Sequence, residues 1–235
     1  MFNIVREDLG RYGRTPGERL RAVVLTPGAW AVLVYRFRRW EQRTRLPGPL
    51  GWPTKVISLL AQWWVEIATN IQLPLSAEVG PGLFIPHTGY VVLSTRARLG
   101  RNCTLTQGVT IGHARGGSGN RQGVPVLGDR VYVGPGAAVI GPITVGDDAL
   151  VGVGAVVLRN VPSRGVAVGN PARVISRRGS FDLIDYPGKY DDLDRTAAAD
   201  EARDGGRDDH SSPKRPPLRH YDTAENGRRE HAYDH

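Results

Sequence analysis

Six apolar residues stand six positions apart between Leu127 and Val157: Leu127, Val133, Val139, Val145, Val151 and Val157. Glycine follows most of them, at Gly128, Gly134, Gly146 and Gly152. Four positions after each lies another small or apolar residue: Val131, Ala137, Ile143, Ala149 and Ala155. A period of six is neither the 3.6 of a helix nor the 2 of a strand. It marks a parallel β-helix, in which short strands coil around a triangular prism. With three hexapeptides to a coil, a side chain stacks on one about eighteen residues on. Val133 is therefore expected on Val151, and Val139 on Val157. The residue four on must also point inward and be small. Glycine at the next position is expected to ease a crowded corner. An all-β barrel with regular turns is the alternative, and the unbroken repeats weigh against it.

The period runs backward through Leu93, Leu99, Leu105 and Ile111, and through Val79, Ile85 and Val91. It slips twice, in IPHTGYVV and in GHARGGSGNRQGVP. Insertions in a repeat become surface loops, often at a binding site. These two hold His87 and His113, the only histidines outside the tail. Before the repeats, residues 1–70 carry all five tryptophans and many arginines, and read as a small helical region. Trp30, Leu33, Val34, Phe37 and Trp40 fall on one helical face. Pro47, Pro49 and Pro53 break that pattern, and Val56–Thr69 reads as a second helix. Residues 71–176 form the β-helix domain. Residues 177–235 are a polar tail, expected to be disordered from about residue 190, because it has too little apolar surface to offset its ordering entropy.

The formal charge is +8. That favours acidic partners such as phosphates or a membrane surface. No nucleic-acid motif accompanies it, so none is expected to bind. The one cysteine, Cys103, excludes an intrachain disulfide. Four histidines in the tail (His210, His220, His231, His235) match no metal spacing, and no metal is expected. MFNIVREDLGRYGR lacks the apolar core of a secretion signal. Val56–Leu75 carries too many polar residues for a membrane centre. The expectation is a cytoplasmic protein, with room for peripheral membrane contact.

Three stretches carry a resemblance. FIPHTGYVVL is similar to the FIDH(G/A)xGxVVG segment of serine acetyltransferases. TPGAWAVLVYRFRRW resembles their YPGxHALxxYRxAHW helix. The hexapeptide array and VVLRNVPSRGVAVGNPARVI resemble the hexapeptide-repeat acyltransferases at large. The likeness covers roughly residues 20–176. It implies a mainly β fold, a left-handed parallel β-helix with small N-terminal helices. It implies a homotrimer, or a dimer of trimers, with active sites between neighbouring prisms. Acetyl-CoA would be the donor. His87 aligns with the catalytic histidine, and His113 lies in a loop near the cofactor. An unperturbed imidazole titrates near 6.5, so it can accept a hydroxyl proton at neutral pH. The oxyanion that follows needs donors, which backbone amides at glycine-rich turns can supply. Gly134, Pro135, Gly152 and Val153 match corners that touch coenzyme A, and Arg159 and Arg173 match basic positions near its phosphates.

The departures bear on the acceptor. The aspartate that orients the histidine in the family is Gln72 here, and a glutamine carbonyl fixes a tautomer without adding charge. Glu66 and Glu78 are candidate replacements. Of the positions that hold serine, the aspartate before the histidine is Pro86, RDP has become RTP (Arg14–Pro16), and an Arg-His pair is Arg121-Gln122. Only Arg121 survives. A buried ammonium without carboxylate partners is costly. The expected acceptor is therefore a saccharide hydroxyl, as for polysaccharide O-acetyltransferases. Serine O-acetylation in cysteine synthesis is the alternative, and a non-catalytic hexapeptide scaffold the third reading. The chain ends in YDH rather than the isoleucine with which these enzymes often dock their successor, so no such docking is expected.

Overall fold

A computed structural model describes residues 1–44, 48–114 and 123–204. Four helices come first: α1 (Phe2–Gly10), α2 (Pro16–Leu25), α3 (Pro27–Thr44) and α4 (Gly48–Thr69). Strands of two to four residues follow, in three sheets. The first face stacks Ile71–Gln72, Val91–Leu93, Thr110–Gly112, Ala138–Ile140 and Val156–Val157. The second stacks Glu78–Val79, Arg98–Leu99, Val126–Leu127 and Thr144–Val145. The third stacks Thr104–Leu105, Tyr132–Val133, Leu150–Val151 and Val166–Val168, and Arg173–Ser176 closes it antiparallel.

The hexapeptide reading holds at the level of register. Val133 pairs with Val151, and Val139 with Val157. Val131, Ala137, Ala149 and Ala155 are fully buried in the prism, as the small inward position requires. The glycines relieve crowding, as expected, and the atoms that crowd them belong to the next coil. A Cβ on Gly134 would lie 2.9 Å from the Val151 carbonyl oxygen, and one on Gly146 2.5 Å from the Ser163 nitrogen. Glycine after the strand thus lets the next coil approach closely. The left-handed corner falls two residues later.

The chain turns from third to first face at 86–90, 106–109, 134–137 and 152–155, which we call edge one. Edge two, first to second, includes 94–97, 141–143 and the long insertion that begins at 113. Edge three, second to third, includes 128–131 and 146–149.

The helices cover the open first coil. Asp8, from α1, is buried and accepts from the backbone amides of Gly82 (2.8 Å) and Leu83 (3.1 Å). Arg36, from α3, donates to Asp8 through Nε and Nη2, and to the carbonyls of Val79 and Gly80. Arg11 reaches the carbonyls of Gly82 and Asn102, and burial pulls its guanidinium down to about 10. The buried stripe of α3 is therefore Gly28, Val32, Tyr35 and Arg36. The expected apolar face, Trp30 through Trp40, is only half-buried. Buried hydrogen bonds to the coil decide which face turns inward.

Two boundaries also differ. Pro53 lies inside α4, which starts at Gly48 and forgoes one helical hydrogen bond there. The tail does not lose order at 190: α5 (Leu193–Asp204) packs back. Its Arg195 bonds Asp148 Oδ1 (2.7 Å), and Arg203 pairs with Asp182. Charge pairing supplies what apolar burial lacks. The four tail histidines lie outside the described residues.

Removing Asp8 leaves Arg36 buried without a counter-charge. Asp8→Ala should lower unfolding free energy by about 3–5 kcal/mol, read as a lower urea midpoint.

Candidate functional site

His87 sits on edge one and is exposed. Its loop is tied to the coil before it: Gly89 donates to the Thr69 carbonyl and Val91 to the Asn70 carbonyl. The helices brace it from behind. The Tyr12 hydroxyl accepts from the Ile85 amide (3.1 Å), and the Tyr12 ring meets Phe84 edge-on at 4.8 Å. Gly28 of α3 touches the same segment, since a Cβ there would stand 1.9 Å from the Ile85 carbonyl oxygen. TPGAW and FIPH, far apart in sequence, therefore fit against each other.

Edge one continues from His87 as a line of near-identical turns. Gly108 donates to Gly89, Gly136 to Gln107 and Gly154 to Pro135, each across one coil. Gly136 and Gly154 have φ of +68° and +62°, and a Cβ on either would meet nothing within 4 Å. On edge three the same left-handed turn is made by Arg130, Asp148 and Arg164. Internal packing does not require glycine at 136 or 154. Exposed backbone at 108, 136 and 154 thus recurs down the edge that His87 heads, a line here called the track. Pro135 and Val153 lie on it, and Val153 is 75 % exposed. Gly134 and Gly152 are crowded by the neighbouring coil instead. Gln107, Gly108, Gly136 and Gly154 escaped the sequence reading, although the repeated residue-glycine pairs at 107, 135 and 153 were its signal. The amides of these glycines hold coil to coil, so they are not the free oxyanion donors expected of glycine-rich turns.

The other candidates divide between edges. Gln72 is exposed on the first strand of the first face, in register with Val92 beyond the His87 loop. Among the described residues no hydrogen bond joins Gln72 to His87. Pro86 is half-buried beside His87. Arg173 is exposed, just past the cis Asn170-Pro171 turn at the far end of edge one. His113 and Arg159 lie on edge two, across the first face from His87. Arg159 lines a cavity of about 390 Å³ there with Ala114, Gly141, Pro142 and Leu158. A single prism does not bring His113 and Arg159 to the His87 track. Arg121 and Gln122 lie outside the described residues.

Neither replacement carboxylate serves His87. Glu66 accepts from Gln62 within α4, and Glu78 pairs with Arg98 on the second face. Thr15 of the RTP segment caps α2 and closes a capping box with Glu18. Cys103 is buried in the prism, which pushes its thiol up to about 12 and removes it as a nucleophile. A larger cavity of about 560 Å³ opens between α1, α2 and residues 185–191. It contains no histidine and is bridged by the exposed Arg14–Asp185 pair. Among the described residues no metal-ligating cluster occurs.

The chain is 35% identical over 205 residues to a serine acetyltransferase of Synechococcus elongatus, covering 83% of this chain and 80% of that one. The chain belongs to the serine acetyltransferase family. A relative from Mycobacterium tuberculosis is 33% identical over 195 residues, with 80% and 81% covered. No protein-family model matches. Among solved structures, a serine acetyltransferase in complex with cysteine superposes with a TM-score of 0.58 at 25% identity, over 74% of this chain. The chain spans 63% of that solved protein. The Brucella abortus enzyme gives 0.59 at 28% identity, over 74% of this chain and 68% of that one. The fold is thus the family's left-handed parallel β-helix. By family the protein is an acetyl-CoA-dependent O-acetyltransferase of the hexapeptide-repeat class.

Burial raises the pKa of Tyr12 well above its ordinary value. The fold therefore holds the phenol protonated while the unfolded chain ionises near 10. Stability from this source is intact below about pH 10 and falls as pH rises further. Tyr12→Phe should flatten that alkaline limb and, by loosening the FIPH segment, lower the midpoint at neutral pH. Denaturant titrations at neutral and alkaline pH test both.

Proposed function

We propose that the protein is a serine O-acetyltransferase, acetylating free serine from acetyl-CoA, with His87 as general base. The observation that carries this is His87 at the head of the bare-backbone track on edge one, in a chain of this family. The His87 imidazole takes the proton from the serine hydroxyl as its oxygen attacks the thioester carbonyl. The new ester C–O bond forms, the C–S bond breaks, and the proton passes from His87 to the departing sulfur. The products are O-acetylserine and coenzyme A.

Acetyl-CoA fits the track in kind. An extended chain lies best along backbone without side chains, and Pro135 and Val153 offer apolar contact. Arg173 at the far end suits phosphate oxygens. Arg159 and His113, on edge two, would come from a neighbouring prism, so the working unit is a trimer with sites between protomers. Gln72 and Pro86 favour a second reading. Among the described residues no carboxylate is hydrogen-bonded or ion-paired to His87, and a neutral hydroxyl acceptor such as a saccharide demands none. The comparisons support serine. A cytoplasmic location belongs with the cysteine-synthesis role.

Thiol release from acetyl-CoA should occur with serine and fall by about a thousandfold in His87→Ala, while coenzyme A binding persists. Release only with hexoses or sugar nucleotides would move the assignment to the second reading. In Gly154→Asn the left-handed turn is kept but the track is filled. The KM for acetyl-CoA should rise several-fold, with kcat and melting temperature close to wild type.

A further inference from the structure

Helix α4 is turned inside out. Its inward stripe is small or polar: Gly51, Ser58 and Thr69 are buried with Val65, and Ser58 bonds the buried Glu41 (2.7 Å). Its outward stripe is large and apolar. Trp52 is 73 % exposed, Ile57 64 % and Trp63 64 %, and Leu59, Leu60, Trp64 and Ile67 are exposed beside them. At 1.5 Å per residue this stripe runs about 23 Å. The surface does not end at α4. Trp64 meets Trp30 of α3 at 5.6 Å, and the Trp30 indole donates to Val23 of α2. There Leu20, Val24 and Leu25 are exposed in turn. A contiguous apolar patch of this extent marks an interaction site.

The charge around it selects the partner. Residues 1–69 hold eleven Lys and Arg against five Asp and Glu. The acids are occupied: Asp8 and Glu41 are buried, Glu7 pairs with Arg101, Glu18 closes the α2 capping box and Glu66 accepts from Gln62. Lys55 on α4, Arg21 on α2 and Arg43 at the end of α3 remain exposed. Two copies meeting through this region would bring excess positive charge together. An anionic lipid surface meets both properties at once: the apolar stripe enters the headgroup boundary, and the cations face lipid phosphates. Tryptophan prefers that boundary. No single described helix is long and apolar enough to cross a membrane. We propose that the outer face of α4, extended by the end of α2, docks the protein peripherally on anionic membranes.

The test uses the full-length protein and vesicles of phosphatidylcholine with or without phosphatidylglycerol, at low and high salt. Co-sedimentation is followed with tryptophan fluorescence and quenching by brominated lipid. Expected is binding to anionic vesicles with a blue shift, weakened by salt. Partition should fall by about tenfold or more in the triple variant Ile57→Ser, Leu60→Ser, Trp63→Ser. These side chains are exposed, so melting temperature and acetyl transfer in solution should stay near wild type. Absence of binding to anionic vesicles overturns the proposal. So does a triple variant that binds vesicles as wild type does. A triple variant whose only change is a smaller mass by light scattering also overturns it, because the face would then join copies of the chain.

Discussion

The end of a β-helix is an open coil with unpaired backbone, and here one buried ion pair closes it. Asp8 and Arg36 come from different helices, yet neither is satisfied by the other alone. Asp8 also takes two coil amides, and Arg36 two coil carbonyls. Half of this network is useless without the rest, since each lone charge would be buried unpaired. The helices therefore dock in one position on the first coil. From that docking follow the contact of Gly28 with Ile85, the anchoring of Ile85 by Tyr12, and the posture of the loop that presents His87. The catalytic candidate depends on a charge pair buried at the seam between the helical layer and the first coil.

Most of the prism is legible in the sequence because a six-residue period has one economical solution. The valines at 133, 139, 151 and 157 identify their own stacking partners. The helical layer is less legible. A search for apolar faces selects Trp30 through Trp40 on α3, but the inward face is chosen by Arg36, whose partners at 8, 79 and 80 are remote in sequence. Periodicity is equally silent about glycine. Gly134 and Gly136 look alike on the page. Structure separates them: one yields space to the next coil, the other leaves an edge bare.

The candidate site shows the same division. Pro135 and Val153 could be placed together from spacing, because they stand eighteen residues apart on equivalent corners of successive coils. His87, beyond the long insertion, reaches that edge by resemblance and by structure, not by counting. His113 and Arg159 fall on the neighbouring edge. The unbroken period through Val157 already separates Arg159 from Val153, but resemblance groups residues by ligand and not by edge. The substitutions at Gln72 and Pro86 are visible in sequence, but their effect depends on what surrounds them. Glu66 is held by Gln62 and Glu78 by Arg98, so both candidate replacements are engaged away from the histidine.

Because every coil advances the edge by one strand spacing, the track is also a ruler. From His87 through Gln107 and Pro135 to Val153 it descends three steps, or about 14 Å at roughly 4.8 Å each. Each coil contacts only its neighbours, as in other solenoids. Deleting one eighteen-residue turn such as 133–150 would bring Arg173 one strand spacing closer to His87 while leaving the histidine loop and its helical brace untouched. The distance between the reacting centre and the basic far end is thereby quantised in whole coils. A donor of different length would be accommodated by changing the number of coils rather than by reshaping the pocket.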